Sequence, residues 1–404
     1  MKLFPRLIIV LLIGLIGLSV VSAQEITPPP PSDSTGFSVA LYDQLRLEEG
    51  NLFFSPYSIS NAFLMTYVGA EGNTAQQMRD VLMITADDAS LNQTFADYNV
   101  FITARNNMPE DEYNPERVLT VSNGLWSQQD FALLPDYPAT LAQFFSATIT
   151  PMDFIGAPEE SRQIINDAVA EQTRDRIQDL LPDGVIDAMT RLILTNAVYF
   201  KANWQNSFNV IESAPFTLAD DTLVDVPSMR VRQNMAYLNE EGVVAVAVPY
   251  NGYSSHMVIV MPDDMADYEA NLAQTGLPDM LTSPTYPEVN LTMPKFEFES
   301  RFGLSDTLST MGMTDAFNPD LADFSGISTE SQLFIQEALH QAYIGVDENG
   351  TEAAAATAVI IGVTSAPMPT EPIDVTIDKP FLFYIQDTVT GEILFMGRVM
   401  NPSE

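Results

Sequence analysis

The 404-residue sequence predicts a single α+β domain. Three observations lead there. Helical spacing dominates the first half, short β-branched and aromatic runs dominate the second, and no internal linker or repeat divides them. With 46% hydrophobic residues, the chain can bury a large core.

Lys2 and Arg6 precede an apolar or small run over residues 7–21, and Val21-Ser22-Ala23 offers a small-residue cleavage site. Residues 1–23 therefore read as a signal peptide. The run of fifteen residues is shorter than the roughly 20 a spanning helix needs, so removal after Ala23 is expected. The mature protein is then expected to be secreted, extracellular or held in the cell envelope. Residues 24–36, with Pro28 to Pro31 followed by Ser32 and Asp33, read as a stiff polar lead that stays disordered.

The folded domain is expected over residues 37–402. Phe37, Leu41 and Leu45 recur at four-residue spacing. Ser55-Pro56 opens a helix with Ile59, Ala62, Phe63 and Tyr67 on one face, and Thr74 reads as the cap of another with Met78, Val81 and Leu82 inward. Residues 243–248, 257–261, 290–298, 375–377 and 393–399 read as strands bounded by turn residues. At Pro294 the apolar alternation changes phase, from Leu291 and Met293 to Phe296 and Phe298, which predicts a bulge or a turn of the strand.

Lys and Arg number 17 against 54 Asp and Glu, a formal charge of −37 that becomes −39 without Lys2 and Arg6. Such a surface repels nucleic acid and anionic membranes. The chain has no Cys, which excludes disulfides, thiol nucleophiles and thiolate metal sites. Only His256 and His340 are present, each in an apolar neighbourhood. There is no Gly-x-Ser-x-Gly elbow, no His-Glu-x-x-His and no phosphate-binding glycine loop. No catalytic residue, metal or cofactor is expected, and the scattered carboxylates read as a solvated face.

The most informative stretch is DENGTEAAAATAVIIGVTSAPMPTEPIDVTID at residues 347–378. Local propensity over residues 352–358 is helical. In an extended chain, however, Thr351, Ala353, Ala355, Thr357, Val359 and Ile361 share one uncharged face and Glu352 falls on the other. Such a strand can slide into a sheet, because it brings no bulky or charged side chain to bury. The alternative is an alanine-rich linker.

Glu348-Asn349-Gly350-Thr351-Glu352 followed by Ala353, Ala354, Ala355 and Ala356 resembles the reactive-loop hinge of inhibitory serpins. NLFFSPYSIS at 51–60 and YVGAEGNTAQQM at 67–78 resemble the family's early helices. LILTNAVYFKANW at 192–204 resembles its central strand, and DKPFLFYI with GEILFMGRV resembles its C-terminal signature. From about residue 37 to 402, in order, the chain is identified as a member of that family.

The resemblance implies helices packed around three β-sheets with an exposed reactive loop at about 348–373. Ser55, Ser58, Asn196 and His340 match the polar cluster called the shutter. Lys295 and Glu348 match the breach ion pair, with Trp204 packed nearby. The implied activity is irreversible inhibition of a serine-type endopeptidase: the protease cleaves the loop, an acyl-enzyme forms, and the freed hinge inserts as a strand, with Thr351 the first inward-facing residue to enter. Seventeen residues from Glu348, the family's usual spacing, place the scissile bond at Thr364-Ser365, with Val363-Thr364 and the bond after Met368 as competitors. No Lys or Arg lies between Glu348 and Asp378, so elastase-like or subtilisin-like proteases are favoured over trypsin-like ones. A monomer without cofactor is implied. The alternative is a non-inhibitory serpin-fold protein that binds or stores.

Overall fold

The computed structural model describes residues 27–109, 116–240, 242–282, 284–329, 333–351 and 371–404. The signal-peptide reading of residues 1–23, and the readings of Ala353, Ala354, Ala355, Ala356, Thr364 and Ser365, lie outside the described residues.

Eight α-helices are present among the described residues: α1 (Ser34–Leu45), α2 (Pro56–Tyr67), α3 (Gly72–Val81), α4 (Leu91–Asn106), α5 (Asp136–Phe144), α6 (Pro158–Gln172), α7 (Met265–Thr275) and α8 (Leu304–Met311). They pack around three sheets. The first orders β11 (Phe296–Gly303), β12 (Leu339–Val346), β13 (Gly350–Thr351), β4 (Leu192–Asn203), β2 (Val118–Gln128) and β3 (Ile149–Met152). The second orders β1 (Leu52–Phe54), β16 (Ile393–Val399), β15 (Phe381–Asp387), β9 (Ser255–Pro262), β8 (Val243–Pro249) and β7 (Ala236–Glu240). The third orders β14 (Ile373–Thr376), β10 (Glu288–Pro294), β6 (Leu223–Asn234) and β5 (Asn209–Thr217). This is the α+β arrangement the sequence predicts.

The C-terminal run owes its nearly continuous apolar character to a sheet covered on both faces. Along β15 and β16, Leu382, Tyr384 and Met396 enter the core shared with α1, α2 and α3, while Phe381, Phe383, Ile385 and Phe395 enter the core shared with the first and third sheets. The period of two thus feeds two cores from one sequence. On the second side, Phe53 stacks on Phe395 at 5.2 Å and on Phe383 at 5.8 Å.

Three expectations need correction. Order begins before Phe37: the Pro31 carbonyl accepts from the Thr85 and Ala86 amides, Ser32 bridges Ile84, and Asp33 caps α1 through the Gly36 amide at 3.0 Å. Backbone pairing and a cap thus order the end of the lead read as disordered. Thr74 caps nothing, because α3 begins at Gly72; its hydroxyl accepts from the Asp323 amide at 3.0 Å. The phase change at Pro294 is neither a bulge nor a simple turn. Here the chain leaves the third sheet as β10 and joins the first as β11, with Lys295 at the junction. Ser55, by contrast, caps α2 as the sequence predicts, accepting from the Ser58 amide at 3.1 Å with Pro56 in the first turn.

Candidate functional site: a strand pair that parts

β4 and β12 run parallel in the middle of the first sheet. They pair directly where Leu339 to Ala342 meet Thr195 to Val198. Beyond that point they part, and β13 lies antiparallel between them: Thr351 faces Val346 on one side and Ala202 on the other, and Gly350 faces Asn203. The residue expected to enter the sheet first is therefore already seated. Thr351 is 3% exposed, and its hydroxyl meets the Tyr250 hydroxyl at 2.5 Å.

Local sequence explains the tight reversal into β13. The Asp347 carboxylate accepts from the Asn349 amide at 2.7 Å and the Gly350 amide at 3.2 Å, an Asx-type turn. Gly350 is required by space, since a Cβ there would come within 2.1 Å of the Ala202 carbonyl oxygen. Trp204 grips the turn through two donors, its indole to the Asp347 carbonyl and its amide to the Asn349 carbonyl, each at 2.8 Å. Its ring stacks on Tyr250 with centroids 4.6 Å apart. Lys295 meets Glu348 at 2.7 Å, and both side chains are partly exposed. The ammonium holds the Glu348 carboxyl below its usual range. Lys295, Glu348 and Trp204 are thus brought together as the sequence reading grouped them.

The lower, joined part of the pair holds Ser55, Ser58, Asn196 and His340. His340 and Asn196 are opposite each other across β12 and β4, joined from Nδ1 to Oδ1 at 2.8 Å. Nε2 of His340 accepts the Ser55 amide at 3.2 Å, so Nδ1 carries the proton and donates to Asn196. Asn196 in turn donates to the Ser58 hydroxyl at 2.6 Å and to Asn123 Oδ1 at 2.7 Å, while the Ser55 hydroxyl donates to the Leu394 carbonyl at 2.6 Å. Burial pushes the His340 pKa down to about 3, so the ring is neutral. His256 lies elsewhere, in β9 against Gln386 at 3.1 Å.

Sequence reasoning missed Tyr250, Asp347 and Asn123. Asp347 was legible as an Asx-turn residue just ahead of Asn349-Gly350. Tyr250 reaches Thr351 only through the pairing of distant strands, and no local pattern marks it.

The model of the family Serpin (serine protease inhibitor) matches residues 32–402. An uncharacterized serpin-like protein of Thermococcus kodakarensis is 37% identical, the alignment covering 91% of this chain and 84% of that one. The leukocyte elastase inhibitor of Homo sapiens is 33% identical over 92% of this chain and 99% of its own. Among solved structures, thyroxine-binding globulin in complex with thyroxine superposes with a TM-score of 0.78 at 27% identity, covering 93% of this chain and 99% of that one.

Proposed function

Because this chain belongs to the serpin family, we propose that it is an irreversible suicide-substrate inhibitor of serine-type endopeptidases. One observation carries the reading: the hinge residues Gly350 and Thr351 already occupy the gap between β4 and β12. Their register fixes where each following residue would pair. Continued inward, Ala353 falls between Phe200 and Ile344, Ala355 between Val198 and Ala342, and Thr357 between Asn196 and His340. The direct pairs of β12 with β4 imply the same register.

The inward positions thus receive small or uncharged side chains, and a hydroxyl arrives where the His340–Asn196 bond must break. The inserted strand gains ladder hydrogen bonds on both sides, its residues bonding alternately to β4 and to β12. The loop is offered as substrate, with Thr364-Ser365 as the proposed scissile bond. The protease serine attacks the carbonyl, and the new strand drags the acyl-enzyme away before water releases it. The uncleaved form is then a kinetic trap. The protein acts as a trap and not as a catalyst, as a secreted monomer without a cofactor.

Elastase-like or subtilisin-like enzymes are the proposed targets. The likeness to the leukocyte elastase inhibitor supports this, as does the lack of Lys and Arg between Glu348 and Asp378. Likeness to thyroxine-binding globulin favours the second reading, a carrier that does not inhibit. Mixing the protein with pancreatic elastase, subtilisin and trypsin separates them. SDS-resistant complexes with the first two, and a released peptide beginning at Ser365, are expected. Cleavage without any complex would favour the carrier.

A further inference from the structure

A concavity of about 640 Å³ opens beside β7, the edge strand of the second sheet, and its size is that of a small-molecule site. Its walls come from the hairpin that joins β7 to β8, from α7, and from residues 276–279. The sequence shapes each wall. Gly242 turns the hairpin at φ +84°, and its carbonyl accepts from the Asp263 amide at 2.6 Å. Gly276 ends α7 at φ +72° with its amide donating to the Leu272 carbonyl at 2.8 Å, and Pro278 keeps the chain from resuming the helix. The Tyr384 hydroxyl donates to the Pro278 carbonyl at 3.0 Å and fixes that wall.

Two chemistries meet in this concavity. Leu238, Val243, Pro262, Tyr268 and Leu277 are buried or half-buried and form an apolar floor. Glu240, Asp263, Asp264, Asp267 and Asp279 are exposed and form the rim, and among the described residues no Lys or Arg lines the space. Asp263 meets Lys379 at 3.0 Å, Asp264 accepts from the Asp267 amide at 2.9 Å, Asp267 accepts from the Asn271 side chain at 3.3 Å, and Asp279 accepts from the Leu281 and Thr282 amides at 3.1 and 3.0 Å. Of those partners Lys379 alone carries a charge, so the lining stays negative. Among the described residues no three carboxylates converge as ligands of a metal ion do, and the charge is spread around the rim. Tyr268 supplies a separate sign. Its hydroxyl is closed to water and has no hydrogen-bond partner, and burial pushes its pKa up to about 12. A buried polar atom without a partner is costly and marks a place where another group belongs.

We propose that this concavity binds a small organic cation with an apolar body, an alkyl- or arylalkylammonium. The body lies on Leu238, Val243 and Leu277, and the ammonium donates to the rim carboxylates and to the Tyr268 oxygen. Burial of the body supplies the affinity, and the carboxylates select the sign of the charge. Neither part suffices alone: a bare cation finds no floor, and a neutral or anionic body of the same shape meets the rim without compensation. The site is built from a hairpin and a helix outside the gap between β4 and β12, so it does not depend on the loop-insertion reading.

The test separates the site from the acidity of the whole chain. Full-length protein is titrated at about 0.15 M salt with 4-phenylbutylammonium, methylammonium and 4-phenylbutanol, each followed by NMR of the ligand. The first is expected to bind one site with a Kd of about 1 mM or tighter, and the other two at least about tenfold more weakly. Asn271→Lys places a competing ammonium in the mouth from the surface of α7, and is expected to abolish binding with the denaturation midpoint unchanged. Tyr268→Phe removes the unpartnered hydroxyl, and is expected to weaken binding about threefold with no loss of stability. Equal binding of methylammonium and 4-phenylbutylammonium, or binding undiminished in Asn271→Lys, would show that cations gather on the general acidity of a chain of formal charge −37 and would overturn the site. Absence of any 4-phenylbutylammonium binding to the wild-type protein would overturn it as well.

Discussion

The upper and lower ends of one strand pair are held by different physics. At the top, β4 and β12 are already parted around Gly350 and Thr351, and the contacts there run to the loop: Trp204 to Asp347, Tyr250 to Thr351, Lys295 to Glu348. At the bottom the strands are joined, and the contacts run between them and α2, through a neutral His340, Asn196, Ser55 and Ser58. The opening end is built on one partly exposed ion pair, a stacked aromatic and a single buried hydroxyl pair. The closed end is a fully buried polar network, in which each lost partner leaves another group unsatisfied. On the proposed insertion reading, a strand entering from the top would meet its largest resistance at the buried network of His340 and Asn196, and the cost of any disruption should rise from top to bottom.

The largest effect is expected from His340→Ala, which strips partners from the Ser55 amide and Asn196 in a site closed to water. A loss of about 3–5 kcal/mol in unfolding free energy, measured by denaturant titration, is expected. A loss no larger than that at the top would break the comparison.

The same residue makes a prediction in pH. The folded pKa of His340 is depressed to about 3 from 6.5, so its contribution is complete above pH 6.5 and is lost progressively as pH falls toward 3. Glu392 has the opposite sign. Buried with the Tyr98 hydroxyl donating at 2.7 Å, its carboxyl is pushed up to about 7, so its contribution is complete below pH 4.5 and is lost as pH rises through 7. His340→Gln should flatten the acid limb of the stability curve and Glu392→Gln the limb between pH 4.5 and 7. An unchanged acid limb in His340→Gln would show that the shutter histidine is not held neutral.

At the top, Tyr250→Phe leaves the buried Thr351 hydroxyl without its partner and is expected to cost about 1–2 kcal/mol. Hydrogen exchange at Gly350 and Thr351 should rise in that variant while exchange at Asn196 stays constant. Lys295→Ala comes last. Its pair with Glu348 is partly exposed and worth less than about 1 kcal/mol in global stability. Its readout is kinetic: faster latency or oligomer formation on mild heating, seen on native gels. Unchanged kinetics would remove the ion pair from control of the opening.

The sequence carried most of the fold because its local signals agree with its tertiary structure. Ser55-Pro56 is a helix start by cap chemistry alone, and the alternation of Phe381, Phe383 and Ile385 against Leu382 and Tyr384 follows from a sheet buried on both faces. The members of the opening and the shutter were recognisable by resemblance. Their connections were not, because they depend on register. Tyr250 and Thr351 are 101 positions apart, and only the pairing of β13 with β4 brings them to 2.5 Å. For the same reason Thr351 was expected to wait outside a sheet in which it already sits, and the Pro294 phase change concealed a change of sheet. Thr351→Arg would therefore damage the uncleaved protein as well as the inserted one.

A cleaner probe of insertion lies further along the loop. In the register of the seated hinge, Ala355 would arrive between Val198 and Ala342, both buried in the apolar core. An arginine there costs several kcal/mol on insertion, because its charge finds no partner. The most direct measurement is the reaction of Ala355→Arg with subtilisin, followed by denaturing gel and by melting of the cleaved product. The account predicts cleavage at the wild-type rate, little or no SDS-resistant complex, and loss of the large rise in melting temperature that cleaved wild type should acquire. An Ala355→Arg protein that traps subtilisin as fully as wild type would contradict it.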